Sequence, residues 1–235
     1  MAVNQVTKVK LADGTVVPLV DWSHRPIYST VDLLSGMTDE SVRAFNYTRS
    51  ETVSASGNFP AASLRTATLE HTNVDSKSEM DATEEYLVYA IRVEAFQFVH
   101  NAQNNSFDLG EQGLPLPPGN NLMFAHNRLI LELEVSEKAF PQAGLGWFVA
   151  GFGPHITMSD SAAAFRSYGV NGLPSREAVS DMVNPVHLGG TEDYAIIIHN
   201  PGGTLNWIDD LAATDGDAII SLRVYLDGLH KRATG

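Results

Sequence analysis

Cysteine is absent from the 235-residue chain. A disulfide scaffold, a thiolate zinc site and a thiol nucleophile are therefore excluded. Basic residues are scarce: 15 Lys and Arg stand against 28 Asp and Glu, a formal charge of −13. A nucleic-acid-binding surface needs a basic footprint, so direct contact with a genome is not expected. The acidity itself reads as a contribution to solubility. No apolar run approaches the ~18–20 residues of a membrane-spanning helix. The first residues, MAVNQVTKVKLADGTVV, lack the apolar stretch of a signal peptide, so synthesis and first residence in a cytosol are expected. Asn46-Tyr47-Thr48 and Asn104-Asn105-Ser106 match the glycosylation sequon, and without a secretion signal they read as chance matches.

Signatures of chemistry are missing as well. There is no HExxH, no GxSxG and no Walker-type loop. The Gly-rich stretch from Gly144 to Gly151 lacks the third glycine spacing and a following helix, and reads as glycine packing in a strand and its turns. The eight histidines, His24, His71, His100, His126, His155, His187, His199 and His230, include no pair two to four residues apart. No local metal pair exists, which leaves a cupin-type site assembled from distant strands as the enzyme alternative. Asp209-Asp210 and Asp215-Gly216-Asp217 form an acidic cluster. Its glycine is not at the sixth position from Asp209 or Asp210, so the EF-hand spacing fails. The cluster reads as a solvated turn, with a lectin-like calcium loop over Asp209–Asp217 as the alternative. The expected catalytic, cofactor-binding and metal-ligating residues are none, and no cofactor is expected.

What the chain has in quantity is strand pattern. The segment from Glu192 to Arg232 holds two apolar runs, Tyr194–His199 and Ala218–Leu226. In the second, Ile220, Leu222, Val224 and Leu226 fall on one face, and Ser221, Arg223, Tyr225 and Asp227 on the other. That period of two marks a half-buried strand. A buried strand so late in the chain must pair with strands laid down much earlier. Glu85–Val99 is read as a long strand, its β-branched and aromatic content disfavouring a helix. Ser41–Ser54, Leu64–Glu70, Asn127–Val135, Trp147–Phe152 and Val186–Leu188 complete the expected set.

The remaining pieces are expected as connections. Val6–Leu11 and Val16–Val20 flank Asp13-Gly14, a tight-turn signal, and predict a small hairpin. Thr30 is expected to cap a short helix ending at Leu34, before Gly36. Residues 1–40 are thus read as an N-terminal arm or outer layer, and 41–235 as the body. Phe140–Gly144 is expected to turn the chain. Short helices are expected from Ser159 or Asp160 to Tyr168, from Ser175 to Val183, and over Asn206–Ala213. Residues 100–121, rich in Asn, Gly and Pro, read as a long loop and as the boundary should there be two domains. Trp147 is expected in the core; Trp22 and Trp207 are expected in local packing, with a subunit-interface anchor as the other reading.

About eight strands with no βαβ alternation favour an antiparallel sandwich, and eight in two facing sheets is the jelly-roll count. Glu85-Tyr86 and Asp193-Tyr194 each introduce an apolar run, which hints at two tandem sandwiches. Leu64–Val93 resembles a pattern in the virion proteins of tailless icosahedral bacteriophages: a Thr-Asn element, a polar spacer, then Glu-Glu-Tyr-Leu-Val with Ile and Val following. The C-terminal part is similar to theirs too, from Ile196–Pro201 through the Ile-x-Leu-x-Val-x-Leu-Asp-Gly ending at Gly228 to Lys231-Arg232. Leu129–Leu133, Lys138-Ala139-Phe140 and Gly144-Leu145-Gly146 fit the same order. The resemblance implies a jelly-roll capsid protein that assembles with copies of itself, and with other capsid or membrane proteins, into an icosahedral virion shell. A single elaborated jelly roll is preferred to a compact double one, because the chain is short for two sandwiches. The alternatives are a carbohydrate- or receptor-binding jelly-roll module and then a cupin-type enzyme.

Overall fold

The computed structural model describes residues 8–10, 16–18, 22–34, 36–38, 40–53, 65–69, 71–101, 106–108, 118–148, 155–159, 166–170, 181–205, 207 and 216–231. The elements in chain order are β1 (Lys8–Lys10), β2 (Val16–Pro18), β3 (Trp22–His24), β4 (Ile27–Leu34), β5 (Ser41–Ala44), β6 (Thr52–Val53), β7 (Arg65–Thr66), β8 (Glu85–Asn101) and β9 (Ser106–Asp108). They continue with α1 (Pro118–Arg128), β10 (Ile130–Val135), β11 (Lys138–Gly144), a 3-10 turn (Leu145–Phe148), β12 (His155–Ser159), β13 (Arg166–Val170), β14 (Asp181–Leu188), β15 (Tyr194–His199) and β16 (Gly216–Lys231).

Two antiparallel sheets carry the core, as in an all-β sandwich. The larger runs β14-β8-β16, with β4 and β3 sharing the far side of β16 and β9 beside β14 on β8. The smaller runs β11-β10-β15-β5. Three two-stranded ribbons, β1-β2, β6-β7 and β12-β13, stand outside them. The pairing has a simple rule. Among the eight main strands the first meets the last, β4 with β16. The second meets the seventh, β5 with β15. The third meets the sixth, β8 with β14, and the fourth meets the fifth, β10 with β11. Two further pairings, β8 with β16 and β10 with β15, join these pairs into the two sheets. The two late runs lie in different sheets, so they link the layers rather than form a hairpin.

The alternation in β16 does what its pattern predicts. Ile220, Leu222, Val224 and Leu226 are fully buried and join one core cluster with Ile91, Val93, Leu131, Leu133, Ile196 and Ile198 from both sheets. Each such side chain contributes roughly 1.5–3 kcal/mol of transfer free energy. Tyr86, also fully buried, places its hydroxyl 2.7 Å from the Arg25 carbonyl and 2.8 Å from the Leu226 carbonyl. Burial pushes its phenol pKa well up, so it stays a protonated donor.

Several local expectations are overturned. Residues 30–34 are not a helix in an outer layer: they lie in β4, paired with β16 from Ile27↔Leu226 to Leu34↔Ile219. A helix of that length is marginal alone, whereas the strand also gains contacts with the core. Strand pairing therefore carries the larger sheet back to Trp22. Ser41–Ser54 is not one strand, because Phe45 takes a positive φ of 66° and parts β5 from β6. Phe140–Gly144 does not turn the chain. The turn falls at Ser136-Glu137, both at positive φ (47° and 65°), the two-residue hairpin geometry that Asn-Gly normally signals. Pro141 is accommodated because β11 is an edge strand and its register shifts there. Tyr168 lies in β13, paired with β12, not in a helix, and Asp181–Val183 belongs to β14.

The strand expected from Asn127 starts at Ile130, and α1 precedes it. The described part of 100–121 holds the end of β8, β9 and the start of α1. Trp147–Phe152 is not a strand over its described part, which is the 3-10 turn. Apart from Trp207, the predicted helix over 206–213 lies outside the described residues, as does most of 175–183.

The register between β16 and β8 slips by one residue at Asp227/Gly228, the mark of a β-bulge. A Cβ on Gly228 would sit 1.9 Å from the Leu87 carbonyl oxygen and 2.8 Å from the Tyr86 ring. Gly228→Ala is expected to destabilise the protein by about 3 kcal/mol or more, read as the shift in a urea or thermal unfolding midpoint; an unchanged midpoint contradicts the packing described.

Candidate functional site

The outer face of the larger sheet gathers the most polar chemistry. The alternation that buries Leu222, Val224 and Leu226 turns Ser221, Arg223, Tyr225 and Asp227 the other way. Cross-strand register then sets Asp32 beside Ser221, Thr30 and Glu94 beside Arg223, and Tyr28 and Arg92 beside Tyr225. Ser221 donates its hydroxyl hydrogen to buried Asp32. Tyr225 donates to Glu94 at 2.8 Å, and Arg223 stands 4.0 Å from the same carboxylate and over the Tyr28 ring at 5.7 Å. Asp227 takes an ion pair from Arg92 and a 2.6 Å contact from His24. Burial raises the Tyr225 phenol pKa, and the Glu94 charge adds to that.

Two further groups of the same kind lie elsewhere, one on each sheet. Glu85 receives Lys231 at 2.6 Å and His187 at 3.0 Å, and the Lys231 hydrogen bond holds its carboxyl below the usual range. On the smaller sheet Glu132 receives Gln142 and His199, the latter at 3.1 Å. These carboxylates are already matched by donors, and none of these contacts sets a serine or threonine beside a histidine. The arrangement is suited to holding strands in register.

The histidines are dispersed. His24, His187, His199 and His230 each sit beside a different carboxylate, the last 3.3 Å from Glu84. Among the described residues no three of His, Cys, Asp and Glu are grouped to hold a metal ion. The proposed calcium loop over Asp209–Asp217 falls mostly outside the described residues. Trp147 is 65% exposed rather than in the core. Trp207 is buried, donates Nε1–H to the Leu33 carbonyl at 3.0 Å and meets Phe124 edge-on at 5.9 Å, which is local packing. Trp22 lies under Lys231, whose ammonium is 5.9 Å from the ring centroid.

The feature sequence reading missed is α1. Its buried positions Leu122, Ala125, His126 and Leu129 at its end follow the i, i+3, i+4, i+7 rule. The Pro-Pro-Gly-Asn-Asn start masked that signal. His126 is 5% exposed, and among the described residues neither ring nitrogen has a hydrogen-bond partner.

The described residues define an antiparallel, two-sheet all-β protein. No family model and no curated protein matches the chain. Among solved structures, VP17, a capsid protein of bacteriophage P23-77, aligns over 87% of this chain and 96% of its own at 10% identity, with a TM-score of 0.22. A TM-score of that size establishes no shared fold.

Burial lowers the His126 pKa from 6.5 to about 4. A depressed folded-state value means the unfolded chain binds more protons between these limits. Stability from this group is therefore complete above pH 6.5 and falls by up to roughly 3 kcal/mol as pH drops to 4. His126→Leu is expected to flatten that part of the stability profile and to stabilise the protein at pH 5 by about 1–3 kcal/mol; parallel wild-type and variant profiles from denaturant titrations refute this.

Proposed function

We propose that this chain is a structural, non-enzymatic subunit of an icosahedral virion shell, with a single jelly roll as its body. The observation that carries the reading is the pairing rule, first strand with last through fourth with fifth, divided between two four-lane sheets. A ribbon rolled in this way is how a jelly roll places eight strands in two sheets, and eight lanes rather than sixteen among the described residues favour one roll over two. The virion-protein resemblance of the strand patterns around Leu64–Val93 and Ile196–Gly228 points the same way. The ion-paired outer face suits contact between copies, and the acidity suits a subunit that stays soluble until it assembles. An acidic shell protein is kept from the genome by a membrane or another protein in this reading. Exposed Trp147 is the residue a carbohydrate-binding module would use instead.

The test is quantitative analysis of the source particle. Mass spectrometry of purified particles is expected to find the chain among the most abundant proteins, and electron microscopy of the overexpressed protein to find closed shells or regular oligomers. A chain absent from particles, or present in only a few copies, refutes the shell role. Glycan binding lost in Trp147→Ala supports the carbohydrate-binding alternative.

A further inference from the structure

We infer that a small acidic notch on the body is a socket for a lysine of the N-terminal hairpin of a second copy; the inference rests on the self-assembly reading above. The notch is a cavity of about 40 Å³ between the loop 73–84 and the β3-β4 corner, lined by Arg25, Glu79, Asp81, Glu84, Tyr194 and His230 among others. That volume holds one or two water-sized groups, so an ammonium head fits and a sugar does not. His230 at the cavity wall is 3% exposed: Nε2 is 3.3 Å from the Glu84 carboxylate, and buried Nδ1 has no hydrogen-bond partner among the described residues. Tyr194, 2% exposed, lies within the field of the Glu84 charge, and its phenol pKa is pushed up by burial first and by that charge second. Asp75 also lines the notch but is matched by Arg49. Among the described lining residues Glu79, Asp81 and Glu84 meet one guanidinium, Arg25, besides the Ser76 hydroxyl that donates to Asp81 and the His230 imidazole beside Glu84, so acidic groups outnumber basic ones.

The occupant follows from the lysine inventory. The chain has only five lysines, Lys8, Lys10, Lys77, Lys138 and Lys231. Lys77 is held by Glu51 at 2.5 Å and Lys231 by Glu85 at 2.6 Å. Lys8 and Lys10 are exposed and two residues apart on β1, so they share a face. Among the described strands, β1 and β2 pair only with each other. A lone two-stranded hairpin is marginal in water and gains by docking. Lys138 is also exposed, but it stands alone at the β10-β11 turn. The hairpin thus brings two adjacent ammonium groups to a strongly acidic molecule.

Sedimentation velocity of the full chain at low salt tests this with two charge reversals, Lys8→Glu/Lys10→Glu and Glu79→Lys/Asp81→Lys. Both pairs of positions are exposed, and circular dichroism checks that each variant folds. Each reversal alone is expected to weaken self-association by about tenfold or more. An equimolar mixture restores it, because each reversed surface then meets its complement. Raised salt weakens the wild-type association. Wild-type-like association of the hairpin variant, a mixture that stays unassociated, or a wild-type chain that never associates at low salt overturns the socket. If the chain is nonetheless abundant in particles, the shell reading stands without it; absence from particles removes the shell reading whatever the sedimentation shows.

Discussion

The ladder between β16 and β8 is the interaction on which the rest depends. It runs from Gly216↔Asn101 to Lys231↔Glu85, and β16 is paired on its other side by β4 and β3. Remove β16 and β4 loses its partner, the core loses four fully buried aliphatic side chains, and the Arg92–Asp227 pair on the outer face disappears with it. The contacts are non-local: Tyr86 reaches Leu226 across 140 residues of chain. Loop-closure entropy must be overcome before such pairs form, so a slow, late-closing folding reaction is the natural consequence of this topology.

The same ladder explains the polar face. Once the aliphatic residues of β16 are turned inward, strand geometry leaves Ser221, Arg223, Tyr225 and Asp227 no choice of side. Their neighbours on β4 and β8 supply the opposite charges and the acceptors. The network is a by-product of register, fixed by the apolar pattern beneath it.

Long elements with strong alternation were legible in the sequence. β8, β15 and β16 lie where the pattern puts them, and the Asp-Gly signal locates the β1-β2 hairpin. Short elements were not. Thr30–Leu34 carries a helix-cap residue and a stop glycine, yet pairing with β16 decides its conformation, and a local signal cannot report a partner so far along the chain. The β10-β11 turn was hidden because Ser136-Glu137 adopts positive φ without glycine or asparagine. α1 was hidden by its loop-like first turn. Most polar partners of the outer face were invisible for the same reason as β4: they are adjacent through register, not through sequence. The functional reading owes more to topology than to any motif.

The placement of proline bears on how such a protein survives at high concentration. A sheet edge is a row of unpaired amides and carbonyls that invites another strand. Here β11 carries Pro141 and a register shift, and β14 carries Pro185 within another. The free side of β4 is occupied where Tyr47 bonds both the amide and the carbonyl of Thr30 and where Thr72 bridges Ser29. β5 is only four residues long. These features make the described edges of the two sheets poor templates for sideways strand addition.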